Sequence, residues 1–312
     1  MNLSHRNRVT VAVVSYNHSR FIVECLESIR KQSINCEVLI VDDNSTDNTK
    51  NVVEEYLEKY PNFATFFPNE VNSGLNRNLN FLLGHAKGEY FTYISADDFM
   101  MPGRIEKHLK MLDENPSSQL AYSNAAVADS TSKILEQDSK DEFPWPKNQE
   151  YWSDAQHALL ERNWIPAASI FIKTAFLRTI GGYSEDIYFE DFELLTRAAQ
   201  HTTFEWTEEQ LVAVRRLETS LGATTFGQKN PKFLYASYVA YQNYEHNPHE
   251  SLREKAMYLR WNLAVRMIEL STPVREDLKL LWAARHGASS KASRCKQLAR
   301  AIAQLAGHRN IG

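Results

Sequence analysis

Glu89-Tyr90-Phe91-Thr92-Tyr93-Ile94-Ser95-Ala96-Asp97-Asp98 begins as an apolar, aromatic and β-branched run and stops at two adjacent carboxylates. Pro102 and Gly103 lie just beyond. A run of this kind favours a strand. Carboxylates at a strand's carboxyl end are badly placed for a core. They are well placed for a ligand, because open α/β sheets bind ligands at that edge. Hard cations such as Mg2+ and Mn2+ take one or two carboxylates together with phosphate oxygens. Two readings of Asp97 and Asp98 follow. They hold a divalent cation and its diphosphate, or they cap a helix starting near Pro102.

The residues before this stretch repeat its design. Val9 to Val14 is an apolar strand ending in Ser15-Tyr16-Asn17, and Glu37 to Val41 is a second, ending in Asp42-Asp43-Asn44-Ser45. Ala64 to Phe67 is a third, ending in Pro68-Asn69. Helical spacing of Ile22, Cys25, Leu26 and Ile29, of Val52, Val53, Tyr56 and Tyr60, and of Leu75, Leu79, Leu82 and Leu83 predicts a helix between each pair. Ser45 or Thr46 can cap the second helix, and Gly88 suits the end of the third. Alternation of this kind predicts an α/β fold, a mostly parallel sheet with helices on both faces. Right-handed crossovers then bring Asn17, Asp42-Asp43 and Asp97-Asp98 to one edge. Three polar termini on one edge are more economically a site than three caps.

Composition narrows the class. The chain has 312 residues, 43% hydrophobic and 24% charged, with a formal net charge of -4. Those are the proportions of a soluble globular protein, and the charge gives no sign of a nucleic-acid partner. The polar start of the chain is not read as a signal peptide. No apolar run reaches about 18 residues, so no membrane-spanning helix is expected. Cys25, Cys36 and Cys295 are scattered, which suits neither a disulfide framework nor a zinc site and makes the cytoplasm the default compartment. No G-x-G-x-x-G follows the first strand and no P-loop occurs. A diphosphate here therefore needs a cation and basic side chains. Arg77, near the start of its helix, can supply one charge or be a solvated surface arginine.

Beyond Leu120 to Val127, another strand, residues 129–152 lose apolar periodicity and read as an exposed excursion. Its Trp145 and Trp152 serve either a sugar or packing. Ser169 to Ile172 reads as a strand and Thr174 to Thr179 as a short helix stopped by Gly181-Gly182. Phe192, Leu195, Ala198 and Ala199 mark a helix that opens at Glu190-Asp191. Acidic residues suit a helix N-terminus, and a general base is the alternative.

The stretches Val11 to Asn17, Val41-Asp42-Asp43-Asn44-Ser45-Thr46-Asp47, Asn72-x-Gly74-x-x-Arg77-Asn78, Gly88-Glu89-Tyr90, Ser95-Ala96-Asp97-Asp98 and Gly181-Gly182-Tyr183 followed by Glu190-Asp191 resemble, in order and spacing, family-2 glycosyltransferases with the GT-A fold. The resemblance covers about residues 9 to 225. It implies that Asp43 contacts the nucleobase, Arg77 lies near the diphosphate and Asp97 binds Mn2+ or Mg2+, with Asp98 beside it. It implies that Asp191 is the catalytic base, with Glu190 adjacent. Ser15 and Asn17 complete the expected donor-binding set. Two positions depart from the family pattern. Ser95 replaces the first aspartate of D-x-D; it can bond a ribose but lends no second charge. Leu217, in Val214-Arg215-Arg216-Leu217, stands where a histidine near the metal is common, leaving Arg215 or Arg216 to offset diphosphate charge. Without the Q-x-x-R-W pattern of processive members, one sugar per encounter is implied.

The expected reaction is therefore an inverting, metal-dependent transfer of one sugar from a nucleotide-diphosphate sugar to an acceptor hydroxyl. The nucleotide expected by family habit is UDP, with dTDP and GDP as alternatives. The acceptor is a glycan, a lipid-linked or another hydroxyl compound, in cell-surface polysaccharide or glycolipid synthesis. The rivals are a nucleotide-sugar-binding protein with weak catalysis and a sugar nucleotidyltransferase. The latter normally shows a glycine-rich basic loop after the first strand, which Ser15 to Phe21 is not. The expected division is a glycosyltransferase domain over 1–227, its nucleotide-sugar half about 1–127 and its acceptor half about 128–227, then a helical appendage over 228–312. Phe233 to Tyr241, Leu252 to Leu270 and Val274 to Trp282 look helical, and from Arg253 onward the appendage is basic. Its charge suits a solvated face, a homodimer contact or peripheral attachment to the inner face of a membrane.

Overall fold

The computed structural model describes residues 8–217, 230–270 and 282. They form two compact units. One comprises 8–155, 163–185 and 201–217; the other comprises 156–162, 186–200, 230–270 and 282.

The first unit starts with the expected alternation: β1 (Val9–Ser15), α1 (Ile22–Arg30), β2 (Glu37–Asp42), α2 (Thr49–Lys59), β3 (Thr65–Pro68), α3 (Leu75–His85) and β4 (Tyr90–Ser95). β5 (Phe99–Met100), α4 (Arg104–Glu114), β6 (Leu120–Ala128), β7 (Ile134–Asp138), α5 (Ser139–Glu142) and α6 (Glu150–Ser153) follow. The second unit takes α7 (Gln156–Leu159). The chain then returns to the sheet with β8 (Phe171–Lys173) and α8 (Thr174–Thr179). α9 (Asp191–Ala198) belongs to the second unit, β9 (Phe204–Arg215) to the first, and α10 (Pro231–Gln242) and α11 (Glu250–Leu270) to the second.

One sheet orders the strands β3-β2-β1-β4-β8-β6-β9-β5, with β7 on β6. Its longest registers are parallel: β1 on β2, β1 on β4, and β6 on β9. β8 runs antiparallel between β4 and β6. It starts later than expected, because Ala167–Ser169 is a 3-10 turn. Ser15 lies opposite Asp42, and Val14 opposite Ser95. The three polar termini therefore end level, as the alternation required. Val9, Val11, Val13, Ile22, Leu26, Ile40 and Ile94 are buried in one core between sheet and helices. Burying each such side chain contributes about 1.5–3 kcal/mol.

Three local expectations are corrected. Asp97 and Asp98 cap no helix: β5 follows them, and α4 starts behind the left-handed Gly103. Ser45 and Thr46 do not cap α2, which begins at Thr49; Ser45 turns back to Asp42 instead. Gly88 lies past the end of α3 and serves close packing, since a Cβ there would meet the Thr10 nitrogen at 2.5 Å. The 129–152 excursion is also more ordered than its composition implied. β7 pairs back on β6, and Trp145 is buried edge-on to Trp152 at 4.8 Å. That is a packing role.

In the second unit α10 and α11 pack through Leu234, Tyr238, Trp261, Ala264 and Met267. Tyr241, Tyr244, Leu252 and Ala256 cluster with Leu160. The helical unit therefore draws in 156–162 and 186–200, segments that lie in the middle of the chain. The helix expected at 274–282 and the basic residues from Arg275 on fall outside the described residues, Trp282 apart. Of the described cations, Arg253 bonds the Asn247 carbonyl, Lys255 pairs with Glu161, and Arg260 stacks on Tyr238. No described helix is long and apolar enough to cross a membrane.

Candidate active site

The strand-end edge is tied together by side chains bonding main chain across long sequence distances. Asn17 turns with φ 59° after β1. Its Oδ1 accepts from the Thr46 N–H at 2.8 Å, and its own N–H donates to Ser45 Oγ at 2.9 Å. This stitches the β1 and β2 turns into one surface. Ser15 is buried; its carbonyl accepts from the Asp43 N–H at 2.8 Å, and its hydroxyl finds no partner among the described residues.

Asp43, only 4% exposed, organises the loop ahead of α3. Oδ1 accepts from the Ser73 N–H at 2.7 Å and from Asn69 Nδ2 at 2.9 Å; Oδ2 accepts from the Gly74 N–H at 2.9 Å. Gly74 has φ 85°, a conformation that glycine adopts without strain. A carboxylate offers about four acceptor positions. Three are used here, which leaves one. Arg77, exposed on the first turn of α3, lies 3.5 Å from Glu185.

Asp97 and Asp98 sit in a tight turn closed by the Asp98 N–H on the Ser95 carbonyl. Ser95 Oγ donates to Asp97 Oδ1. Serine in the first position of the motif therefore orients the metal-binding candidate instead of adding charge. Asp97 Oδ2 faces His18 Nε2 at 3.9 Å, too far for a direct hydrogen bond. His18 is held by its own N–H on Thr49 Oγ1. Burial and the neighbouring Asp97 push the Asp98 carboxyl well above the usual carboxylate range, opposed by the Arg215 N–H on its Oδ1 at 2.8 Å.

No group of three or more His, Cys, Asp and Glu gathers to cage an ion among the described residues. Mg2+ and Mn2+ sharing phosphate oxygens need only one or two carboxylates. Asp97, with His18 alongside, fits that kind of cation.

The end of β9 corrects an expectation. Arg215 is not available to a diphosphate: it is 2% exposed and bonded to protein on every side. Arg216 pairs with Glu142. Neither role was legible from spacing. The available signal was an arginine closing an apolar strand, Leu211-Val212-Ala213-Val214, where a buried charge must be paired. His18 and Glu24 were missed because no motif marks them: His18 lies in the turn before α1, and Glu24 lies on α1 off its buried face.

In the second unit Glu190 is buried, and Asp191 opens α9 partly exposed, its Oδ1 near the Phe192 N–H. Glu193 is 4% exposed and paired with Arg197, so it is not available to a substrate.

The family model described as glycosyl transferase family 2 matches residues 10–178, more than half of the chain. The protein therefore belongs to glycosyl transferase family 2, and its α/β fold is GT-A-like. The putative glycosyltransferase EpsE of Bacillus subtilis is 33% identical over 123 residues, 39% of this chain and 44% of that protein. An uncharacterized protein of Mycobacterium tuberculosis is 31% identical over 169 residues, 52% and 46%. The chain spans about half the length of the curated relatives it matches. Among solved structures, S. aureus TarS 1-349 in complex with UDP superposes with a TM-score of 0.62 at 16% identity, covering 98% of this chain and 92% of that one. The mannosyltransferase PcManGT from Pyrobaculum calidifontis, in complex with GDP-Man and Mn2+, does so at 0.61 and 18%, covering 97% and 87%. At such identities the likeness concerns the fold.

Proposed function

We propose that this protein is a metal-dependent, inverting glycosyltransferase that moves one sugar from a nucleotide-diphosphate sugar, by preference a UDP-sugar, to an acceptor hydroxyl. The observation that carries the reading is the level strand-end edge of the first unit. Asp43 keeps an acceptor position there, and Asp97 is oriented by Ser95 with one oxygen facing outward from that bond. Solved structures of like fold hold UDP, or GDP-Man with Mn2+. A relative 31% identical over 109 residues is named a minor teichoic acid biosynthesis protein, which supports a role in cell-surface polymer synthesis.

In this reading Asp43 accepts a ring N–H of the base. Asp97, with Asp98 behind it, would hold Mn2+ or Mg2+, and Arg77 lies toward the diphosphate. When bound, the cation offsets charge on the leaving diphosphate. Asp191 takes the proton of the acceptor hydroxyl as that oxygen attacks the anomeric carbon, and the nucleoside diphosphate departs. Glu190, being buried, supports the loop-to-helix junction. The C-terminal basic segment as a contact for a membrane or a second copy belongs to the same proposal, and rests on its charge.

Asp97→Asn keeps size and removes charge. Binding of UDP measured with and without Mn2+ should lose its metal dependence in this variant, and donor hydrolysis should fall with it. A wild type that binds and hydrolyses donor equally well in chelator ends the metal reading. Binding without any hydrolysis or transfer points to the catalytically weak binding protein.

A further inference from the structure

We propose that Arg215 is the positioning residue of the Asp97–Asp98 turn, presenting the Asp97 carboxylate to the cation and diphosphate; the proposal rests on the reading of Asp97 above. Arg215 grips the turn twice. Its main-chain N–H donates to Asp98 Oδ1 at 2.8 Å, and its Nε donates to the Asp97 carbonyl at 2.8 Å. The rest of the guanidinium is anchored elsewhere in the same unit. Nη1 donates to the Asp129 carbonyl at 2.9 Å and to Ser132 Oγ at 3.1 Å; Nη2 donates to Glu24 Oε2 at 2.6 Å. Its plane lies over Phe21 at 4.5 Å, with Phe99 at 5.6 Å.

This arrangement suits a strut and not a ligand. The fork joins α1, the β6–β7 turn and the cation turn, three pieces that do not bond one another through main chain at this point. Glu24 neutralises the guanidinium, so no unpaired positive charge opposes a cation at Asp97. Ser132 Oγ also donates to Glu24 Oε2 at 2.6 Å, which fixes the acceptor. A lysine cannot replace the fork: it is a point charge without planar, bidentate geometry. Groups that orient metal ligands from behind typically change metal affinity by about 10–100-fold when altered.

The test uses the full chain as wild type, Arg215→Lys, Glu24→Gln and Tyr122→Phe. Mn2+ is titrated in the presence of UDP by electron paramagnetic resonance, and Tm is measured without metal. Tyr122 is buried in the same unit, donates its hydroxyl to the Trp152 carbonyl at 2.9 Å and bonds neither Arg215 nor the cation turn, so Tyr122→Phe reports the purely structural cost. The expected result for Arg215→Lys is Mn2+ binding weakened about 10–100-fold. Glu24→Gln should weaken it in the same direction. Tyr122→Phe should lower Tm with Mn2+ affinity unchanged. Wild-type Mn2+ affinity in Arg215→Lys overturns the proposal, as does an equal loss of affinity in Tyr122→Phe at a matched loss of Tm. If Arg215→Lys does not fold, Glu24→Gln against Tyr122→Phe decides on the same criteria. A wild type that binds no Mn2+ beside UDP overturns the reading of Asp97 instead.

Discussion

The strand-end edge and the helical unit both carry many polar side chains, but those groups do opposite work. At the edge, Asn17, Asp43 and Arg215 bond main chain of segments distant in sequence, and the turns they shape hold the carboxylates of the proposed donor site. In the helical unit the polar groups consume one another. Glu193 accepts from Arg197 Nε at 2.9 Å and Nη2 at 2.8 Å, and Asn243 donates to Glu193 Oε1 at 3.0 Å. The difference teaches where a substitution should be felt. Edge residues should change binding or rate; residues of the helical interior should change stability.

The sharpest test of that division lies within two residues of one helix. Asp191 opens α9 partly exposed, while Glu193 is buried and fully engaged. General-base assistance is typically worth about 10² to 10⁴ in rate. Asp191→Asn should lower kcat on that order, with Tm and donor affinity little changed. Near-normal transfer in this variant would move the base to Glu190. Glu193→Ala should do the reverse. Removing one partner of a buried ion pair strands the other and costs about 3–5 kcal/mol; the partial exposure of Arg197 puts this case at the lower end. Chemical denaturation should show that loss while kcat per folded molecule holds. A Glu193→Ala protein of full stability and no activity would break the comparison.

Much of the edge was legible because its signals are local. Three apolar runs each end in polar residues, and alternation with amphipathic helices leaves little choice of topology. Asp43, Asp97 and Asn17 were all found that way. What escaped depends on partners far away in sequence. Arg215 meets Glu24 across 191 positions and Asp97 across 118. No periodicity carries that information, so a buried strut was read as a free charge. The helical unit escaped for a related reason. Its core joins Leu160 and Phe192 to Tyr241 and Leu252, so a boundary drawn along the chain does not describe it. Ser95 is a third case. Its identity was plain, but its bond to Asp97 made it an orienting group, which composition alone does not distinguish from a ribose contact.

The smallest expected effect asks whether the division runs between the two units or between edge and interior. His108 lies in the first unit, on α4, fully buried. Its ring stacks on Phe171 with centroids 5.2 Å apart, and Nδ1 lies 3.1 Å from the Arg104 carbonyl. Burial, and next the nearby Arg104 guanidinium, lower its pKa to about 3. The folded protein thus keeps this imidazole neutral where an unfolded chain, with a histidine pKa of about 6.5, takes up a proton. Above pH 6.5 neither state is protonated and the group is silent. Below it the unfolded state binds more protons, so stability falls by about 1.4 kcal/mol for each pH unit until the folded pKa is reached. Unfolding free energies measured between pH 7 and 5 should show this slope, and His108→Phe, which keeps a flat ring against Phe171, should flatten it. Donor binding compared at a single pH should not respond to the substitution. An unchanged slope in His108→Phe would assign the acid sensitivity to other groups. A loss of donor binding at full stability would place an interior residue among those that serve the ligand, and the division between edge and interior would fail.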